Sequence, residues 1–311
     1  MDVTEWLLDS DPAIRWQVQR DLLGAPADVV ATERARVVRE GWGAALLALQ
    51  DPDGAWDGGA YRPGWADDER PFFDAWTATH FSLQQLMELG LDPAAPEAKD
   101  AVARVRTGVR WEHAGQPYFE GEVEPCINGV ALSVAAYFGE SGDSIVDTIL
   151  GGRLADGGWN CWSEYGATVS SFHSTMCVVE GLLAWELAGG TSPAVRDARL
   201  AGEEYLLARQ LFRRRSTGDI VDPRYLMLSS PVRWYYDVLR ALEHFRLADR
   251  RDERLTGAIE HVRSKRSADG RWVRDLHHEG PQLIDVSHAE GMPSRWITLR
   301  ALRVLRWWDA A

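Results

Sequence analysis

Basic residues are scarce in this chain. Thirty-four Lys and Arg stand against 47 Asp and Glu, a formal charge of −13. That balance argues against nucleic acid or an anionic membrane surface as partner, because both reward clustered cations. The one basic cluster, Arg213-Arg214-Arg215, is too short to grip a phosphate backbone and reads as a solvated loop. No apolar run reaches 18 residues, so no segment is expected to span a membrane. The opening stretch MDVTEWLLDSD lacks the basic region and apolar core of an export signal, which makes the cytoplasm the expected location. Cysteine is sparse as well. Three residues in such a chain do not make a disulfide framework, and metal or thiol chemistry is the better use for them. No stretch alternates with the period of two that strands need, so sheet is not expected.

What the chain does have is tryptophan, 15 of them in 311 residues. Trp rewards burial only where its N–H finds an acceptor, so this number suggests a large aromatic-lined interior or a cavity. Helical periodicity runs through most of the chain. Ser10-Asp11-Pro12 reads as the cap and first turn of a helix, and residues 32–49 read as another. That second helix stops at Gln50-Asp51-Pro52-Asp53-Gly54-Ala55-Trp56, and after a loop a further helix is expected from Pro71 to the glycine cap Gly90. The unit of helix, Asp-Gly-x-Trp turn, loop and helix then recurs at Asp156-Gly157-Gly158-Trp159 and Asp269-Gly270-Arg271-Trp272. Degenerate copies lie between them. The second helices of the pairs are expected to start near Pro71, Glu124, Ser170, Pro231 and Pro293. The fold class that follows is all-α, built from helical hairpins. In the turns themselves, the aspartate is expected to cap and the tryptophan to pin the turn to a neighbouring helix.

Chemistry concentrates in residues 156–183. Cys161 lies in the loop after the glycine turn, and His173 and Cys177 fall four apart on one face of the following helix. Cys177, one turn further in, is expected to be core packing. His80 is likewise expected in the core, and His277-His278 in an exposed loop.

The pattern Gln50-x-x-x-Gly54-x-Trp56 resembles the turns of squalene–hopene cyclases, and the repeated glycine–aromatic turns are similar to those of protein prenyltransferase β-subunits. The resemblance, from about residue 36 onward, implies an α/α toroid: an inner ring of helices, the second of each pair, inside an outer ring, with an apolar central cavity. Residues 1–311 would then form a single domain, with residues 1–35 a helical extension on it. The DxDD acid of the squalene cyclases is absent, as is a DDxxD motif for magnesium diphosphate. Asp74 remains a candidate catalytic acid, with a helix cap as its alternative role, and Trp76 beside it is a candidate for contact with substrate.

The prenyltransferase comparison implies a metal. There zinc is held by Asp-x-Cys at the start of one inner helix and by His at the start of the next. Glu124-Pro125-Cys126 and the stretch from Ser171 through His173 to Leu182 look similar. The resemblance thus implies zinc on Glu124, Cys126 and His173, with Cys161 an additional ligand that has no counterpart in that motif; such a set suits zinc. The segment before Glu124 departs from the family. It is acidic, with Glu120 and Glu122 where the prenyltransferases are basic, and it would repel a diphosphate. At other inner-helix starts, Arg233, Trp234, Arg295 and Trp296 are candidates to contact substrate, and Tyr235 and Asp237 to act in catalysis. The expected function is a zinc-dependent enzyme acting on a small, largely apolar substrate, with isoprenoids among the candidates. A metal-free cyclase-like enzyme and a non-catalytic cavity binder are the alternatives, and an α-subunit-like partner is compatible with the resemblance.

Overall fold

The computed structural model describes residues 2–67 and 75–310. Asp74, Pro71 and the rest of 68–74 lie outside the described residues. Among those described, the chain is all-α, with isolated bridges but no named strand. Thirteen α-helices follow in order: α1 (Val3–Leu8), α2 (Pro12–Asp21), α3 (Ala27–Arg34), α4 (Gly41–Leu47), α5 (Thr79–Leu89), α6 (Pro96–Gly108), α7 (Pro125–Phe138), α8 (Asp143–Gly151), α9 (Phe172–Leu187), α10 (Pro193–Leu207), α11 (Val238–Leu247), α12 (Thr256–Ser264) and α13 (Arg295–Asp309). Among the described residues, no helix is long and apolar enough to cross a membrane.

The Asp-Gly-x-Trp turn repeats as a physical unit. The indole N–H of Trp56 donates to the carbonyl of Leu46, that of Trp159 to Ile149 and that of Trp272 to Val262, each ten residues upstream and at 2.7–2.8 Å. The backbone N–H of the same three tryptophans donates forward to a threonine hydroxyl, on Thr79, Thr175 and Thr298, at 3.0–3.1 Å. All three indoles are fully buried. Each turn therefore fastens the end of one helix (α4, α8, α12) to the beginning of the second helix of its pair (α5, α9, α13). The glycine of each turn sits at φ of +81° to +98°, which a side chain would strain. Gln50 bridges the first turn to α6, its amide donating to the carbonyls of Gly54 and Ala101. Thr175→Val keeps the shape but strands the buried Trp159 N–H. The expected cost is about 1–3 kcal/mol, read by urea denaturation.

The chain folds as two compact units. The larger comprises Arg34–Gly202 and Glu279–Asp285. At its centre α7 packs against α5 and α9. The packing of α7 on α9 is backbone on backbone: a Cβ added at Gly129 would lie 2.3 Å from the carbonyl of Cys177, and one at Gly181 would lie 2.4 Å from the carbonyl oxygen of Gly129. Cys126, one turn before Gly129, meets Cys161, which in turn meets Ser174 in the first turn of α9, so the two helices run in the same direction and bring their N-termini to one end.

The other unit comprises the chain up to Glu33, Glu203–His278 and the chain from Val286. Here α13 packs on α2, α11 and α12. Arg303 of α13 is tied to Gln17 and Asp21 of α2 and to Glu243 of α11. Burial pushes the Glu243 carboxyl upward, but Arg303 and Arg246 outweigh it and hold it below the ordinary glutamate value.

Three helix boundaries differ from the sequence reading. Residues 32–49 are not one helix: α3 ends at Arg34, residues 35–39 form turns, and α4 starts at Gly41, left-handed at φ +66°, after the extended Glu40. The helix expected from Pro71 begins at Thr79. Residues 75–78 are not helical, because the Trp76 N–H goes to the carbonyl of Pro281 and Ala78 is extended. The first N–H groups of α5, from Thr79 and His80, then go to the carbonyls of Gly59 and Ala60. The helix expected near Pro231 begins at Val238, because Arg233 is left-handed at φ +55° and Asp237 is the cap. The starts near Glu124, Ser170 and Pro293 stand, with Glu124, Ser171 and Ser294 as N-caps.

Candidate metal and thiol centre

The N-terminus of α7 is prepared by a clamp rather than by an ordinary cap. The fully buried Asn128 accepts the N–H of Glu122 through its amide oxygen at 2.7 Å and donates back to the Glu122 carbonyl. The Glu122 carboxylate accepts the N–H of Glu124 at 2.7 Å. Glu124 occupies the N-cap position, yet its side chain makes no cap bond. Its carboxylate instead accepts the thiol of Cys126 at 3.7 Å.

Cys161 arrives from the loop between Trp159 and α9. Its sulfur lies 2.6 Å from that of Cys126. It also accepts the N–H of Cys126 at 3.4 Å and the hydroxyl of Ser174 at 3.2 Å, while the Cys161 N–H donates to Ser174 at 3.2 Å. The loop is held at both ends: Ser171 N–H donates to Trp159, and the Asn160 side chain caps the short 3₁₀ turn Cys161–Tyr165 and donates to the Val169 carbonyl. The ligand atoms of Glu124, Cys126 and Cys161 all lie within 4.8 Å of one another. His173, the second residue of α9, is not in that set. Cys161, which has no counterpart in the prenyltransferase motif, is.

The electrostatics are one-sided. Cys126 has its thiol pKa pushed well up by the hydrogen bond with Cys161, by burial, and by Cys161, Cys177 and Glu124 as negative neighbours. Tyr61 is pushed up first by burial and then by Cys126, Glu124, Cys161 and Cys177, so its phenol stays protonated beside the thiols. Its loop is fixed by Glu112, whose carboxylate accepts the N–H groups of Ala60, Tyr61 and Arg62. Its ring packs on His80 and Phe81, with centroids 5.4 and 5.0 Å away. Sequence reasoning misses Tyr61, because a loop tyrosine with no motif around it carries no signal.

The Cys161 loop also displays large apolar side chains. Trp162 is 71% exposed, Tyr165 82% and Val169 61%, and the two rings meet edge to face. Cys177 is fully buried, in agreement with core packing. His80 is buried too, on the Tyr118 hydroxyl at 3.1 Å.

The remaining candidates have structural partners. Trp76 is buried, donates its indole N–H to the carbonyl of Glu279 and packs edge-on against Phe81. Asp237 is a buried N-cap whose carboxylate accepts from the N–H of Arg240 and from the N–H and hydroxyl of Ser229. Tyr235 is stacked between Trp234 and His278, 3.9 Å from each. His278 is therefore half-buried rather than exposed. The Arg233 carbonyl, like that of Tyr235, accepts from Arg240. Arg295 lies over the Trp6 ring and donates to the Trp6 carbonyl, and Trp296 is buried at the start of α13. Asp74 lies outside the described residues.

No protein-family model matches the chain, and no curated protein matches it. Among solved structures, a protein from Actinoplanes is similar at 15% identity and a TM-score of 0.46, with 96% of this chain and 90% of that one covered.

Proposed function

We propose that the protein is a zinc-dependent enzyme, an α/α toroid related to the prenyltransferases and squalene cyclases, acting on a small and largely apolar substrate. The observation that carries the reading is the convergence of Glu124, Cys126 and Cys161 within 4.8 Å. One carboxylate and two thiols are donors that zinc accepts, and three protein ligands leave a position for substrate. The neighbours that raise Cys126 and Tyr61 are a carboxylate and thiols, so a cation is the group that would offset them. Two sulfurs on one tetrahedral zinc at ~2.3 Å lie roughly 3.8 Å apart, so the pair must open from its 2.6 Å. The donor chemistry fits; the spacing asks for a small rotation of the Cys161 side chain.

Bound there, zinc would supply a Lewis acid able to activate a thiol or water near neutral pH. The chain's own residues do the rest. Ser174 and the Cys126 N–H orient the Cys161 sulfur. The Tyr61 phenol, held protonated, is a hydrogen-bond donor at the same place. Trp162 and Tyr165, exposed on the Cys161 loop, support an apolar substrate.

Purified protein is expected to hold close to one zinc per chain by elemental analysis. Cys126→Ala and Cys161→Ala should each release it. Metal-free protein prepared without chelators, still helical by circular dichroism and unable to take up added zinc, would end the reading.

A further inference from the structure

The paired sulfurs support a second chemistry that needs no metal. We infer that Cys126 and Cys161 form a dithiol that a low-molecular-weight disulfide converts, reversibly, to an intrachain disulfide.

The geometry is asymmetric in the way such exchange requires. Cys161 is half-buried, on an irregular loop, whereas Cys126 is buried in the first turn of α7. The outer sulfur is the one an external disulfide reaches, and the inner one is placed behind it. Ser174 donates to Cys161, Cys161 to Cys126, and Cys126 to Glu124, so the hydrogens run in one chain from the buried Ser174 hydroxyl through both thiols to the carboxylate. Cys177, the third thiol, sits at 0% exposure against the backbone of Gly129 and takes no part.

In the first step the Cys161 sulfur, as thiolate, attacks one sulfur of the external disulfide and expels one small thiol, leaving a mixed disulfide on Cys161. The Cys126 sulfur then attacks the Cys161 sulfur and breaks the mixed disulfide, and the proton that Cys126 loses is taken up by the departing small thiolate. Two protein thiols are oxidised by two electrons and one external disulfide is reduced to two thiols.

The test uses the full chain, reduced with a phosphine, freed of reductant and divided into samples with and without a chelator. Each is equilibrated with mixtures of oxidised and reduced glutathione, quenched by alkylation, digested and measured by mass spectrometry. The expected result is a linked pair of peptides containing Cys126 and Cys161 in the monomer, with Cys177 recovered alkylated. Reduced glutathione in excess should remove the link. Cys161→Ser should abolish it, while Cys177→Ser should leave it in place. A glutathione adduct that remains on Cys161, a link that includes Cys177, or a link only between chains would overturn the inference. Zinc content, measured on the same preparation, fails or succeeds separately. A chain that links without binding zinc loses only the metal reading, and one that binds zinc but never links loses only this one.

Discussion

Alanine at position 129 is expected to cost at least about 3 kcal/mol, well beyond an ordinary overpacking penalty. The added methyl would meet the carbonyl carbon and oxygen of Cys177 at 2.3 Å and the amide nitrogen of Val178 at 2.6 Å. Those are backbone atoms in the middle of a helix, so they do not swing aside as a side chain would. The two helices must part, and Cys126 moves with α7. Loss of stability by urea denaturation should therefore be accompanied by loss of the proposed zinc binding and of the proposed Cys126–Cys161 link. Gly151→Ala, on the same unit with nothing within 4 Å of its added methyl, is the control and should change stability by no more than about 0.5 kcal/mol. An equal response to the two substitutions would show that α7 and α9 are not held backbone to backbone.

The second large effect is a dependence on pH. Burial lowers the pKa of His80 from 6.5 to about 3 in the folded chain. Between those values the unfolded chain binds a proton that the folded one does not, so stability rises with pH. The contribution is fully present above 6.5 and is lost as pH falls toward 3, at about 1.4 kcal/mol per unit and up to about 4–5 kcal/mol across the window. Carboxylates add their own slope at the acid end. His80→Gln keeps a polar partner for the Tyr118 hydroxyl but does not titrate. The variant is expected to be less stable than the natural protein at pH 7 and to close that gap as pH falls through 6 and 5. Parallel stability curves from pH 4 to 7 would show that His80 is not held neutral by the fold.

Local order is legible where a residue's role is set within its own turn. The glycines of the Asp-Gly-x-Trp turns, the glycine cap at Gly90 and the caps Asp11, Ser171 and Ser294 all announce themselves by type and position. So does the burial of Cys177 and His80. What is not legible depends on distant partners. The start of α5 is decided by carbonyls in the 59–60 loop and by Pro281, and the start of α11 by a left-handed arginine. The metal candidates show the same limit. Helical spacing places His173 and Ser174 on adjacent faces of α9, but nothing in that spacing says which one meets the Cys161 sulfur. The meeting of Cys161 with Cys126 spans 35 residues. The loop of Tyr61, whose phenol feels the charge of the thiols, is gathered by Glu112, some 50 residues later.

The Arg303 cluster has a consequence for how the chain is made. Gln17 and Asp21 leave a ribosome well before the arginine they bind, which follows 286 and 282 residues later. At about 5–20 residues per second, the interval is roughly 15–60 s. For that time α2 has α1 beside it but neither its ionic partner nor α13. The unit made of Arg34–Gly202 and Glu279–Asp285 is also interrupted, but its long segment is contiguous and emerges complete well before α13. During synthesis that long segment is therefore available to pack before α2 can meet α13.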